Sequence, residues 1–356
     1  MGSATPPPTG PVAYPQDGAP LPPTIVQGKS RWVAVRWAEL PGFDSDALYE
    51  AWNAWTHSCE RPGPALAALC ADVRRLLLAT PSEQRHWMQS KLQPYRVEPL
   101  SGPRTGVPSE GLLTGYYEPM LGASRLPGNG YAVPLHRTPN NLTKGKPWYT
   151  RQQADTLPEA KAALRGREIA YLADPLDALV LHIQGSGRLR ITEVDGSTRN
   201  VRLSYAGSNE QPYKSVGRWL LDQGAITDAS WPGIKAWAQQ NPQRVQELLW
   251  SNPRLVFFTE APLADPDAGP RGAQGVALTP GRSIAVDPQS IPYGTPVWLA
   301  SKGAAADLQR LVFAQDTGSA IVGAVRADYF AGWGPDAAEL AGKLKQSLQL
   351  WVLWPK

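Results

Sequence analysis

The sequence predicts a mainly β protein with helices, its C-terminal part closed into a barrel. Two observations carry this. One region from Gly111 and another from Arg254 consist of short runs rich in β-branched and aromatic residues, punctuated by Gly, Pro and Asn. In the second region bulky strand residues meet frequent Gly and Pro corners, the pattern of strands bending around a closed sheet. Stretches with helical spacing precede and separate the two. No repeat of solenoid period occurs.

The elements follow in order along 356 residues, a length that suits two domains or one large one. ATPPPTGPVAYPQDGAPLPPT (residues 4–24) is rich in Pro and Gly and almost free of charge, so residues 1–29 read as a disordered tether with polyproline-II character. Met1-Gly2-Ser3 looks like an expression remnant. A tether in that place suggests a removed signal peptide or lipid anchor upstream, and Pro6 breaks the myristoylation pattern. RWVAVRW (31–37) alternates apolar and polar residues, as a strand does. Residues 44–92 read as mainly helical, and Thr80-Pro81-Ser82-Glu83 is a capping box with Pro at the first helical position.

GLLTGYYEP (111–119), AVPLHRTP (132–139), ALVLHIQGSGRLRITEV (178–194) and NVRLSYAG (200–207) read as strands of a small barrel or sandwich. Residues 214–226 and 230–253 read as helical, with breaks at Pro232 and Pro242. RLVFFTE (254–260) opens the second β region, which holds SIAVDPQSIPYGTPVWLA (283–300), RLVFAQDTG (310–318) and QLWVLWP (349–355). AAELAGKLKQS (337–347) between them reads as a helix.

Composition excludes several functions. The net charge is +4 and Lys and Arg are scattered, so no nucleic-acid partner is expected, while a carboxylate-bearing substrate stays open. No apolar run approaches the roughly 20 residues that span a bilayer. His57, His86, His136 and His182 lie far apart, no ligand pair has metal spacing, and neither a metal nor another cofactor is expected. No GxSxG elbow or phosphate loop is present. Cys59 and Cys70 fit either a disulfide of an oxidising compartment or two buried thiols. The 14 tryptophans fit core packing, with some free to line a sugar groove.

Candidate site residues come from three stretches. Gly115-Tyr116-Tyr117-Glu118 sets two aromatics and a carboxylate beside a turn; on a strand the tyrosines face opposite ways. Gln184-Gly185-Ser186-Gly187 reads as a hairpin turn or as a Gly-rich floor on which Gln184 and Ser186 offer hydrogen bonds. FAQDTGSAIVGAVRADYF (313–330) holds Asp316 and Asp328, and Asp287 ends the strand SIAVD. Strand-end aspartates are ordinary caps. Asp328, however, is hemmed by Ala324, Val325, Ala327, Tyr329 and Phe330, surroundings that raise a carboxyl pKa and keep it able to donate. Arg326 would share its face and oppose this.

GLLTGYYEP, HIQGSGRLRI, YAGSNEQPYKSVGRWLLDQG, NPRLVFF, GVALTPGRSIAVDPQSIPYGTPVWLA and QDTGSAIVGAVRADYFAGWG, in this order, resemble the membrane-bound lytic transglycosylase A family of murein-cleaving enzymes. The resemblance runs from about Trp37 to Lys356, and its last two pieces resemble the 3D domain, named for three aspartates, here Asp287, Asp316 and Asp328. It implies a double-psi β-barrel domain (30–115 and 256–356), a smaller β-domain inserted at 116–255, and a groove between them. It implies Asp328 as the catalytic acid, supported by Asp316, with Tyr116, Tyr117, Glu118, Gln184, Ser186, Asp287, Thr317 and Ala320 as substrate-binding residues. His182 stands where the resemblance leads one to expect Gln. Implied further are peptidoglycan glycan strands as substrate, no cofactor, a monomer, and a periplasmic outer-membrane lipoprotein of a Gram-negative bacterium. A hydrolytic glycosidase and a non-catalytic wall-binding module are the alternatives.

Overall fold

The computed structural model describes residues 18–101 and 111–356. The first 17 residues of the expected tether lie outside them. The tether expectation extended to residue 29, but Ile25–Gln27 is a strand, paired antiparallel with Ser30–Ala34 through a tight turn at Gly28.

Six strands close into a barrel. In ring order they are Lys345–Pro355, Pro296–Lys302, Asp307–Asp316, Ser283–Val286, Arg326–Trp333 and Gly111–Glu118, and Gly111–Glu118 pairs back onto Lys345–Pro355. Two of the pairings, Ser283–Val286 with Asp307–Asp316 and Arg326–Trp333 with Gly111–Glu118, are parallel. The inward residues are fully buried aliphatics such as Ile284, Val297, Leu299, Val312 and Val352. This is the double-psi β-barrel that the resemblance implies.

Helices Leu48–Ser58, Cys70–Arg75 and Pro81–Lys91 pack on one side of the barrel. The last starts at the expected capping box, where Thr80 and Glu83 satisfy each other's backbone N–H. Trp52, Trp55 and Trp87 meet in near-perpendicular and tilted contacts, and Trp55 also reaches Phe313 of the barrel. Each such ring pair adds about 1 kcal/mol beyond its burial. Cys59 and Cys70 are disulfide-bonded across the first two helices.

The inserted domain is a six-stranded sheet in the order Val256–Pro262, Thr198–Ser208, Ser186–Thr192, Met120–Ser124, Glu168–Leu172, Val133–His136. Val256–Pro262 was assigned to the barrel by sequence. It pairs instead along its whole length with Thr198–Ser208, so the sheet boundary falls after Pro262 and not at 256. Bulky Val256, Phe257 and Phe258 would suit either core; the pairing decides.

A second correction concerns residues 178–194. Pro175–Gln184 is a helix, and only Ser186–Thr192 is a strand. Asp174 caps it through Leu176 N–H and Pro175 takes the first turn. Leu176, Leu179 and Ile183, spaced as one helical face, pack with helices Val216–Asp222 and Trp231–Gln240. Gly185 ends the helix at φ 81°, a left-handed conformation suited to Gly. The C-terminal helix also stops sooner than its composition suggests, at Lys343, and Lys345 already begins the last strand.

Candidate active site

The strand Ser283–Val286 sets the geometry. It lies between the strands of the two aspartates, and Ala285 is in register with Asp316 on one side and Asp328 on the other. At about 4.8 Å per strand, the two backbones stand roughly 10 Å apart. Ala285 between them is small and buried. Beyond Asp328 comes Gly111–Glu118, where Thr114 is the direct partner of Asp328 and Tyr116 that of Phe330. Gly115 between them lets helix Gly334–Lys343 pack closely, since a Cβ there would come within 2.7 Å of Ala341 Cα.

Asp328 is partly buried, and Thr114 Oγ1 donates to its Oδ1 at 2.7 Å. Thr114 Oγ1 in turn accepts from Arg326 Nη2 at 2.8 Å. Arg326 thus makes no direct hydrogen bond to Asp328; it acts through Thr114 and by its charge. Among the described residues no group hydrogen-bonds Asp328 Oδ2. Burial raises the carboxyl pKa to about 6, against the pull of Thr114 and Arg326.

Asp316 differs. Its Oδ2 accepts from Tyr116 Oη at 2.9 Å, and its Oδ1 accepts from the Ala273 and Thr317 N–H groups, both at 2.9 Å. Burial raises its pKa too, opposed by these three donors. Burial and the nearby Asp316 and Asp328 hold the Tyr116 phenol well above its ordinary pKa, so it remains a donor. Gln315, next in line, is buried and anchored to Ala54 O and Ser58 Oγ at 2.8 Å, which fixes the strand end beneath the site.

A groove of ≈ 660 Å³ opens here between barrel and insert. Tyr116, Asp316 and Thr317 line it from the barrel, and Gln184 and Ser186 from the insert. Asp328 is not among the lining residues; its strand lies between that of Ala285 and that of Thr114 and Tyr116. Among the described residues no tryptophan lines this cavity. Its aromatic rings are those of Tyr116, His182 and Tyr205, and its cations Arg254 and Arg271.

Four of the expected substrate-binding residues lie outside the groove lining, and two of these, Glu118 and Asp287, have structural work. Glu118 is wholly buried and accepts from Arg188 Nε and Arg202 Nε, each at 2.7 Å. Arg188 also donates to the carbonyls of Pro266 and Ala268 and lies 3.8 Å over the Trp333 ring. This cluster clamps both chain crossings between the two sheets. Asp287 is 4% exposed; burial raises its pKa, but the Gly323 and Gln289 N–H groups and Lys29 hold it below the usual carboxylate value. It fixes the loop before Arg326–Trp333. Ala320 is exposed and outside the cavity. Tyr117 also lies outside the lining, on the opposite face from Tyr116, and its backbone N–H donates to Gln184 Oε1 at 3.0 Å. Sequence reasoning missed Thr114 and Ala273. Neither carries a local signal, because Thr114 reaches Asp328 from a neighbouring strand 214 positions away and Ala273 reaches Asp316 from a loop 43 positions away. No group of residues that could hold a metal occurs among those described.

The fold and site define a two-domain cleft protein: a double-psi barrel bearing paired carboxyls, walled by an inserted sheet. Residues 112–259 match the MltA specific insert domain, and residues 282–354 match the 3D domain. The chain is similar to the lytic transglycosylase LtgG of Burkholderia pseudomallei, with 42% identity, 95% of this chain and 100% of that one covered, and a TM-score of 0.61. MltA from Neisseria gonorrhoeae is 30% identical over 94% of this chain and 95% of its own, with a TM-score of 0.76. The membrane-bound lytic murein transglycosylase A of Escherichia coli K12 is 33% identical, over 68% of this chain and 65% of that relative's length. The chain belongs to the MltA family.

Proposed function

We propose that the protein is a peptidoglycan lytic transglycosylase that cleaves the β-1,4 bond between N-acetylmuramic acid and N-acetylglucosamine, with Asp328 as acid and then base. The observation that carries this is the asymmetry of the two carboxyls. Asp328 has one oxygen without a partner among the described residues and a pKa of about 6, whereas both oxygens of Asp316 are occupied by donors.

Protonated Asp328 gives its proton to the bridging oxygen as the glycosidic bond breaks. The carboxylate so formed accepts the proton of the muramic 6-hydroxyl, whose oxygen bonds to the anomeric carbon. The product is a 1,6-anhydro sugar; no water is consumed and Asp328 ends protonated again. A nucleophile within the substrate needs no second enzymatic carboxylate. Asp316, with Tyr116, orders the groove floor and adds negative potential beside the developing oxocarbenium ion. A hydrolase would need a carboxylate free to activate water, and the three donors on Asp316 leave it poorly suited.

The substrate would be glycan strands, bound by a monomer in the periplasm and held to the outer membrane by a lipid anchor. The relatives' description as membrane-bound supports that placement. The test is clearance of purified murein sacculi: the protein clears them and Asp328→Asn does not. Equal rates for both forms would remove the catalytic role of Asp328.

A further inference from the structure

Helix Pro175–Gln184 carries into the groove a histidine that the proposed chemistry leaves unused. His182 lines the cavity, with its ring stacked on Phe258 at 5.7 Å between centroids and 16° between planes. Its Nδ1 lies 3.2 Å from Arg151 Nη1. Arg151 is 7% exposed and held in place by the carbonyls of Asn252 and Arg254, at 3.0 and 2.5 Å. A guanidinium can only donate, so Nδ1 is the acceptor and the proton of the neutral ring sits on Nε2. Burial, then the charges of Arg151 and His136, keep the ring neutral. Nε2 has no hydrogen-bond partner among the described residues. It is not sealed in either: the buried side-chain polar atoms left without a partner belong to Trp37, Gln84, Arg282, Ser290 and Gln346. A donor of fixed tautomer and fixed ring plane therefore opens onto the groove.

We propose that His182 is a glycan-binding residue whose Nε2–H donates to an uncharged acceptor oxygen of an amino sugar, its acetamido carbonyl or a hydroxyl, and that Arg151 is the positioning residue that fixes the tautomer. This rests on the glycan reading above. A neutral N–H suits such an oxygen, and it costs little to desolvate because the ring carries no charge. The stacking on Phe258 and the bond to Arg151 restrain the ring before the sugar arrives, so little rotational freedom is lost on binding.

The test uses the full chain in an Asp328→Asn background, so that no turnover intrudes, with chitohexaose as the probe in calorimetry near pH 7. His182→Leu should weaken binding roughly three- to tenfold, and His182→Gln, which restores an N–H donor, should recover most of the loss. Thermal unfolding of each variant confirms that it is folded. Cellohexaose, which lacks the acetamido group, separates the two acceptors: an undiminished affinity in His182→Leu assigns the acetamido oxygen, and an equal loss assigns a hydroxyl. Unchanged chitohexaose affinity in His182→Leu overturns the proposal. If the parent binds no glycan, the substrate reading is what fails. The tautomer is then tested alone by ¹⁵N NMR of the His182 ring. The Nε2–H form should persist from about pH 5 to 8 and give way to a mixture in Arg151→Met; an Nδ1–H form in the parent overturns the tautomer assignment.

Discussion

Replacing Asp328 with Asn should stabilise the protein at alkaline pH while removing its activity. The ordinary carboxyl pKa is 3.8, and in the fold it rises to about 6. A folded-state pKa above the unfolded value means that the group costs nothing below pH 3.8. Stability is lost as the pH rises from 3.8 to about 6, where the unfolded chain has ionised and the buried carboxyl still holds its proton, and the loss is complete above 6. Two pH units at 1.36 kcal/mol each give about 3 kcal/mol. Asn keeps the shape and still accepts from Thr114, so it escapes this cost. Unfolding entropy of about 2.1 cal/mol/K per residue makes that roughly 4 °C in Tm for a chain of this length. The assay is differential scanning fluorimetry of both forms at pH 4 and pH 8. The expected difference is near zero at pH 4 and about 4 °C in favour of Asn at pH 8. Equal differences at both values, or a less stable Asn form at pH 8, would refute the view of Asp328 as a desolvated acid.

Activity should fall as pH rises through about 6, because the acid form is consumed there. Thr114→Val removes a hydrogen bond that favours the carboxylate, so the alkaline limb of the profile moves to higher pH. Asp316→Asn removes a neighbouring negative charge, so the limb moves to lower pH and the remaining rate drops. Sacculus clearance against pH reads both, and shifts in the same direction would contradict the assignment. Glu118→Gln leaves Arg188 and Arg202 short of their buried counter-charge and should cost about 3–5 kcal/mol, read by urea denaturation. Loss of less than about 1 kcal/mol would show the clamp to be dispensable. Reducing the Cys59–Cys70 bond, which closes a short loop, should cost about 3 kcal/mol in the same assay.

The strands were legible where alternation met Gly and Pro corners, and the helix at Pro81 where the capping box announced it. Pro175–Gln184 was misread because its Leu, Val and Ile content looks β-like; the Asp174-Pro175 start was the signal that could have corrected it. The apolar setting of Asp328 is local in sequence, and with it the raised pKa. What the sequence hid is long range. Thr114 reaches Asp328 across 214 positions, Tyr116 reaches Asp316 across 200, and the partners of Glu118 lie 70 and 84 positions away. Parallel pairing in the barrel creates the first of these meetings, closure of the barrel the second, and the crossing into the inserted sheet the last; no periodicity within one strand encodes them. For the same reason Asp287 and Glu118 look like site carboxylates in the sequence and serve as structural ones in the fold.

The most direct test of the single-carboxyl mechanism is the mass of muropeptides released from sacculi digested in ¹⁸O-labelled water. The account predicts chain ends one water lighter than reducing ends, in the 1,6-anhydro form, with no ¹⁸O incorporated. Reducing ends carrying one ¹⁸O atom would contradict it and return Asp316 to the role of a hydrolytic base.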